Sequence, residues 1–223
     1  SSMVSAPELP AKNIPYEAYH GMFYGCSRLE VSPSLPALSL GSYCYQYMFA
    51  GTKVASIPNG NYGVSNNSFL PASTLKQNCY AGMFKDCTSL KSTTKHLIQH
   101  VNPSKMADSC YYMMFYGCTS LQYNDEANGY SIPTLNTTNE QLKANCYSSM
   151  FAKCTNFNPS GNGEYLDGNN RSTYLPQYTM LAEGCYEGMF DSTDIKHYPV
   201  LPANTLAPYC YASMLWGCSF NNT

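Results

Sequence analysis

Charge is scarce in this chain. Asp, Glu, Lys and Arg make up only 12% of its 223 residues, and they nearly cancel to a net −2. Such a surface has no Lys/Arg stripe to grip a phosphate backbone, which excludes the ordinary electrostatic mode of nucleic-acid binding. The same scarcity argues against an enzyme, whose pocket needs convergent ionisable groups. No run approaches the 18 or more apolar residues of a membrane span. No basic stretch followed by an apolar one opens the sequence, so any export signal is expected to lie outside it. There is no Cys-x-x-Cys pair, which removes the usual zinc framework. Nucleophile elbows, phosphate-cradling glycine loops and Ser/His/Asp groupings are missing too. His96 and His100 are spaced i, i+4 but have no third ligand, and are read as solvated. Asp125, Glu126, Asn128 and Gly129, and likewise Asp167, Gly168 and Asn169, do not match a dedicated calcium loop. No metal or cofactor is expected.

What is abundant is tyrosine, with 21 copies, together with Asn, Ser, Thr and Gly. A polar, uncharged, Tyr- and Asn-rich surface suits contacts with glycans or proteins, although solvated surface over core tyrosines has the same composition. Asn-x-Ser/Thr occurs at Asn66, Asn136, Asn170 and Asn221, which matters only in a glycosylating secretory route.

The dominant signal is a repeat. A cassette reading Cys-Tyr-x-x-Met-Phe-x-x-Cys returns seven times, centred on Met22, Met48, Met83, Met114, Met150, Met189 and Met214. With Met as zero, Tyr stands at −3 in every copy, Cys at −4 in all but the first, and Phe at +1 in all but the last. Position +4 is Cys except at Thr52 and Thr193, and position −8 is aliphatic, from Ile14 to Leu206. A fixed cassette at this period implies one supersecondary unit stacked on copies of itself. The expected organisation is a single repeat domain, 1–223, of about seven repeats. Offsets of −8, −4, 0 and +4, with −3 and +1 beside them, cover a stripe of roughly 180° on a helix. They predict a short helix in each copy with Leu, Cys, Tyr, Met and Phe inward.

Upstream of the cassettes lie short Pro-x-Leu-Pro segments, clearest at Ala6–Pro10, Ser32–Pro36 and Tyr198–Pro202. In extended chain these place Glu8, Ser34, Thr134 and Val200 opposite the Pro/Leu face. Proline cannot donate to a ladder, so the strands must be brief. Parallel strands about 4.8 Å apart against helices about 8–10 Å apart would bend the stack, strands inside and helices outside. Successive Met positions differ by 26, 35, 31, 36, 39 and 25. The extra residues fall around Asn59–Asn67, Lys95–His100, Asp125–Tyr130 and Ser160–Thr173, and read as loops of the kind that carry binding.

The eleven cysteines read as buried apolar filling. Two Cys eight apart on a helix are separated by about 12 Å of rise, beyond disulfide reach. Bridges between neighbouring copies, such as Cys26 to Cys44, are the alternative.

The unit Leu-x-x-x-Pro-x-Leu-Pro-Ala-x-x-Leu-x-x-x-Cys-Tyr-x-x-Met-Phe-x-Gly-Cys-Thr-Ser-Leu resembles the BspA-like branch of leucine-rich repeat proteins. The likeness is best at Leu29–Leu40, Leu70–Leu90, Cys110–Leu121 and Leu201–Cys218, with Met-Phe-x-x-Cys-x-x-Leu in place of the family's Ala-Phe-x-x-Cys-x-x-Leu. The resemblance implies an α/β solenoid: a curved leucine-rich-repeat stack with parallel strands inside and helices outside. It further implies a bacterial cell-surface or secreted location and a role in adhesion or protein binding. It transfers no active-site residues.

The expected function is therefore non-catalytic recognition of a protein or glycan through the inner face and the insertion loops. Candidate contacts are Glu8, Ser34, Thr134, Tyr198 and Val200 on the strands, and Tyr62, Tyr123, Tyr130 and Tyr165 on the loops. The alternative is a structural stalk, fibre or shell component that joins end to end. Neither end carries an atypical polar capping copy, so the chain is read as part of a longer protein or as packing its ends on other chains.

Overall fold

Glycine, asparagine, aspartate or serine fills fifteen of the twenty-one positions −5, −1 and +3 of the seven cassettes, and these positions decide the backbone. In a computed structural model, which describes residues 3–55, 57, 69–91, 105–122, 141–158, 175 and 178–220, each cassette is a ten-residue run of turns. The runs are 16–25, 42–51, 77–86, 108–117, 144–153, 183–192 and 208–217. In all seven, positions −5, −1 and +3 have positive φ, between 51° and 74°. Asn78, Asn145, Gly82 and Gly117 are residue types that tolerate this region; Met113, Tyr43 and Tyr47 are held there against their preference.

The hydrogen bonds explain the turns. Apart from that of Cys44, the N–H groups at −4, −2, 0, +2 and +4 donate to the carbonyl three residues back, as in Met22 to Tyr19 at 3.2 Å and Cys26 to Phe23 at 3.0 Å. The N–H groups between them leave the cassette. Those at −5, −3, −1, +1 and +3 donate to carbonyls at −6, −4, −2, 0 and +2 of the next cassette, at 2.7–3.2 Å. Five such bonds form at every one of the six junctions, including Phe84 to Met114 at 2.9 Å. Each cassette thus satisfies half its donors locally and half on its neighbour, and the full account closes only in the stack.

This corrects the helices expected on the outer face: among the described residues no α-helix forms at any cassette. A helix sends every N–H to i−4 within its own segment, and a residue with positive φ at every fourth position rules that out. The inward set is nevertheless the expected one. Cys, Tyr, Met and Phe at −4, −3, 0 and +1 are buried in the five inner cassettes, and Met48, Met83, Met114, Met150 and Met189 are fully enclosed. A four-residue turn period, two residues in and two out, selects nearly the same positions as an i, i+4 stripe.

The buried rings form two columns. Phe23, Phe49, Phe84, Phe115, Phe151 and Phe190 stack at 5.4–6.1 Å between centroids. Tyr45, Tyr80, Tyr111, Tyr147, Tyr186 and Tyr211 do so at 5.7–6.0 Å. Each offset-stacked pair is worth about 0.5–1.5 kcal/mol beyond its burial.

The eleven cysteines are free, and nine are buried. The +4 thiols close a register lock: Cys87, Cys118 and Cys154 donate Sγ–H to the Phe49, Phe84 and Phe115 carbonyls of the preceding cassette at 3.0–3.1 Å. Where Thr replaces Cys, the exit turn is one residue shorter. The buried residue that follows is Val54 or Ile195 at +6, instead of Leu29, Leu90, Leu121 or Phe157 at +7. The Thr52 hydroxyl accepts from the Val54 N–H at 3.5 Å, standing in for the carbonyl that Cys87 offers Leu90 at 3.0 Å.

Strand pairing is minimal and parallel. β1 (Asn13–Ile14) pairs with β2 (Ser39–Leu40), Asn13 against Ser39 and Ile14 against Leu40. Single bridges join Ser5 to Val31 and Met180 to Thr205. Among the described residues the Pro-x-Leu-Pro segments form no ladder; the pairing sits beside them. Ile14 and Leu40, the −8 positions expected on a helix, lie in the strands. The four insertions, His96, His100, both acidic turns and the four Asn-x-Ser/Thr sites lie outside the described residues.

Candidate functional site

The strand-side contacts expected from the sequence do not gather into one site among the described residues. Glu8 and Ser34 are exposed beside buried Leu9 and Leu35. Val200 is half-buried, and Tyr198, 59% exposed, stacks on Phe220 at 4.1 Å. Thr134, Tyr62, Tyr123, Tyr130 and Tyr165 lie outside the described residues.

The hollows are on the cassette face instead, built from the outward positions −5, −2, −1 and +2. The larger, about 510 Å³, runs across the third to seventh cassettes. Small residues, Ser148, Ser149 and Gly188, line it together with the large aromatic side chains of Tyr112 and Trp216. Asn78, Asn145, Glu187 and Asp191 supply amide and carboxylate groups. Glycine lets Asn145 pack closely there: a Cβ on Gly184, at φ +57°, would lie 2.2 Å from Asn145 Oδ1 and 3.3 Å from Glu187 Oε2. Those two acceptors therefore converge over a bare α-carbon. Burial, with Tyr47, Glu187 and Tyr116 nearby, raises the Tyr112 phenol pKa, so the hydroxyl stays protonated and can donate.

A second hollow of about 500 Å³ lies between His20, Gly21, Tyr24, Tyr47 and Lys85 on the first three cassettes. Tyr47 lies over Gly82, where a Cβ would come within 2.2 Å of its ring. Lys85 of this hollow and Lys153 sit over the Tyr116 ring at 5.0 and 5.2 Å, and Lys85 also pairs with Asp86.

Among the described residues the larger hollow is lined by no histidine, cysteine, lysine or arginine. Its chemistry is multipoint hydrogen bonding between two aromatic faces. Elsewhere burial holds the thiols protonated, raising Cys87 to about 11 and Cys44 and Cys185 to about 12, so these thiols are neither nucleophiles nor ready metal ligands. No group of three or more His, Cys, Asp or Glu among the described residues could hold a metal ion. No helix among them is long and apolar enough to cross a membrane.

None of these groove residues was singled out by the sequence pattern. The signal was present in the x positions of Cys-Tyr-x-x-Met-Phe-x-x-Cys, where Ser-Ser, Glu-Gly and Tyr-Met alternate with larger and smaller neighbours. Only the register of five cassettes turns those letters into a groove.

Comparison with protein-family models, curated proteins and solved structures finds no match to this chain.

Proposed function

We propose that the chain is a non-catalytic recognition module of the BspA-like leucine-rich-repeat type, a solenoid on a cell surface or secreted from it, that binds a protein or glycan. The observation that carries this reading is the outward face of the cassettes. Hydrogen-bonded turns there hold polar and aromatic side chains, with two carboxylates and one lysine among them, around two hollows of about 510 and 500 Å³. Preorganised aromatic and amide groups bind at low ordering cost. The contacts belong to this face in preference to the strand side, where Glu8, Ser34 and Tyr198 stay scattered. Displaying the 223-residue chain to glycan and surface-protein arrays tests the proposal. Saturable binding that weakens with substitutions on the cassette face is expected, and a folded chain that binds nothing on either array would refute it.

The structural reading, assembly end to end, is favoured by a separate observation. Met22 is 44% exposed where its equivalents in the five inner cassettes are fully enclosed, and Leu206 in the last repeat is 63% exposed. Concentration-dependent growth in light scattering, suppressed by Leu206→Lys, would favour it over the recognition module.

A further inference from the structure

We propose that the groove over the third to seventh cassettes binds a neutral oligosaccharide laid along the stack, its ring faces on Tyr112 and Trp216 and its hydroxyls on Asn145, Glu187 and Asp191. The proposal rests on the recognition reading above and names the ligand class for it.

Three features of the groove select this ligand. First, a pyranose ring has an apolar C–H face and a rim of hydroxyls. The groove offers the same combination, the aromatic rings of Tyr112 and Trp216 together with amide, hydroxyl and carboxylate groups. Second, among the described residues the lining has no cation, which disfavours phosphate, sulfate or carboxylate ligands. Among them it also has no aliphatic side chain to form a pocket for the apolar anchor that carries a peptide interface. Third, Asn145 Oδ1 and Glu187 Oε2 both lie against the Gly184 α-carbon, Oδ1 filling the place a Cβ would take, and both residues line the groove, an acceptor pair suited to vicinal hydroxyl donors. From Tyr112 to Trp216 is three cassette steps, each with a ring spacing of 5.7–5.9 Å, which gives room for several sugar rings in a row.

Trp216 is the only tryptophan in the chain and is 72% exposed, so its fluorescence reports from the groove itself. The experiment titrates the full 223-residue chain with a β-glucan, a mannan, an N-acetylglucosamine hexamer and oligolysine, following tryptophan emission and binding heat. At least one neutral sugar is expected to shift the emission to the blue and to saturate, with little dependence on salt. Trp216→Ala is expected to weaken that binding on the order of tenfold or more, Trp216→Phe to retain most of it, and Glu187→Ala to weaken it on the order of tenfold. An exposed side chain such as Trp216 can be removed without unfolding, and unchanged circular dichroism of the variants verifies this. The proposal is overturned if no sugar binds, if Trp216→Ala binds as tightly as the wild type, or if only oligolysine shifts the emission, in a salt-dependent way. A wild-type chain that binds no sugar yet captures a protein on the array would remove this inference and leave the recognition module standing. A chain that binds neither would remove both.

Discussion

Gly25→Ala and Gly82→Ala distinguish the turn ladder from the helix by the sign of their effect. On a helix, replacing glycine by alanine stabilises by about 1 kcal/mol. In the turn ladder both residues are left-handed, at φ +67° and +59°. Placing an L side chain there costs roughly 1–2 kcal/mol, partly offset by about 0.4–1 kcal/mol from a stiffer unfolded chain. A Cβ on Gly25 meets nothing within 4 Å, so this variant isolates the backbone effect, and a net loss of about 0.5–1.5 kcal/mol is expected. A Cβ on Gly82 would stand 2.2 and 2.3 Å from two carbons of the Tyr47 ring. Displacing that ring adds an overpacking cost of about 1–3 kcal/mol. Tyr47→Ala made together with Gly82→Ala should remove the steric part and leave the backbone part, so the two changes will not be additive. Urea denaturation of the wild type, the two glycine variants, Tyr47→Ala and the double variant supplies all the terms. If Gly25→Ala raises stability by about 1 kcal/mol, the turn ladder is refuted and the helix reinstated.

Further expectations follow from the core. Phe115→Ala removes a fully enclosed ring and its stacking on Phe84 and Phe151, and should cost about 3–5 kcal/mol by denaturation. Met114→Ala should cost about 2–5 kcal/mol and Met22→Ala under about 1 kcal/mol, because only the first is enclosed; equal losses in denaturation would contradict the stacking. A thiol reagent added to the native chain should label Cys26 and Cys218, which are partly exposed, before any other cysteine, as peptide mapping would show. Burial raises Cys44 and Cys185 to about 12 and Cys87 to about 11, from an unfolded value of 9.0. The folded chain therefore keeps protons that the unfolded chain releases. Stability should be level below about pH 9 and fall as pH rises through 11–12, by about 1.4 kcal/mol per pH unit for each such proton. A urea midpoint that is flat from pH 8 to 11 would contradict enclosed, protonated thiols.

The inside of this protein was legible from residues alone. Cys, Tyr, Met and Phe recur in fixed order, and a set of apolar residues at constant spacing has to be shared with its copies to be buried at all. The free state of the cysteines was legible as well, although the reason differs: the +4 thiols are held by carbonyls of the preceding cassette, not kept apart by helical rise. The backbone was misread because four-residue and 3.6-residue periods coincide over a span as short as −8 to +4. Gly51, Gly82, Asn78 and Asn145 carried the distinguishing signal. Periodicity of apolar residues does not register it, since positive φ is a property of the residues between them.

By itself, then, the sequence determined which side chains face inward and that each copy needs its neighbours. Hydrophobic burial depends only on residue type and spacing, and both are written in the chain. Tertiary structure alone decided helix against turn, because half of each cassette's N–H donors find their acceptors on another cassette. It also decided where the groove lies: Asn145, Glu187 and Trp216 belong to three different repeats, far apart along the chain, and meet only when the hydrogen-bond register between cassettes lays one over the next.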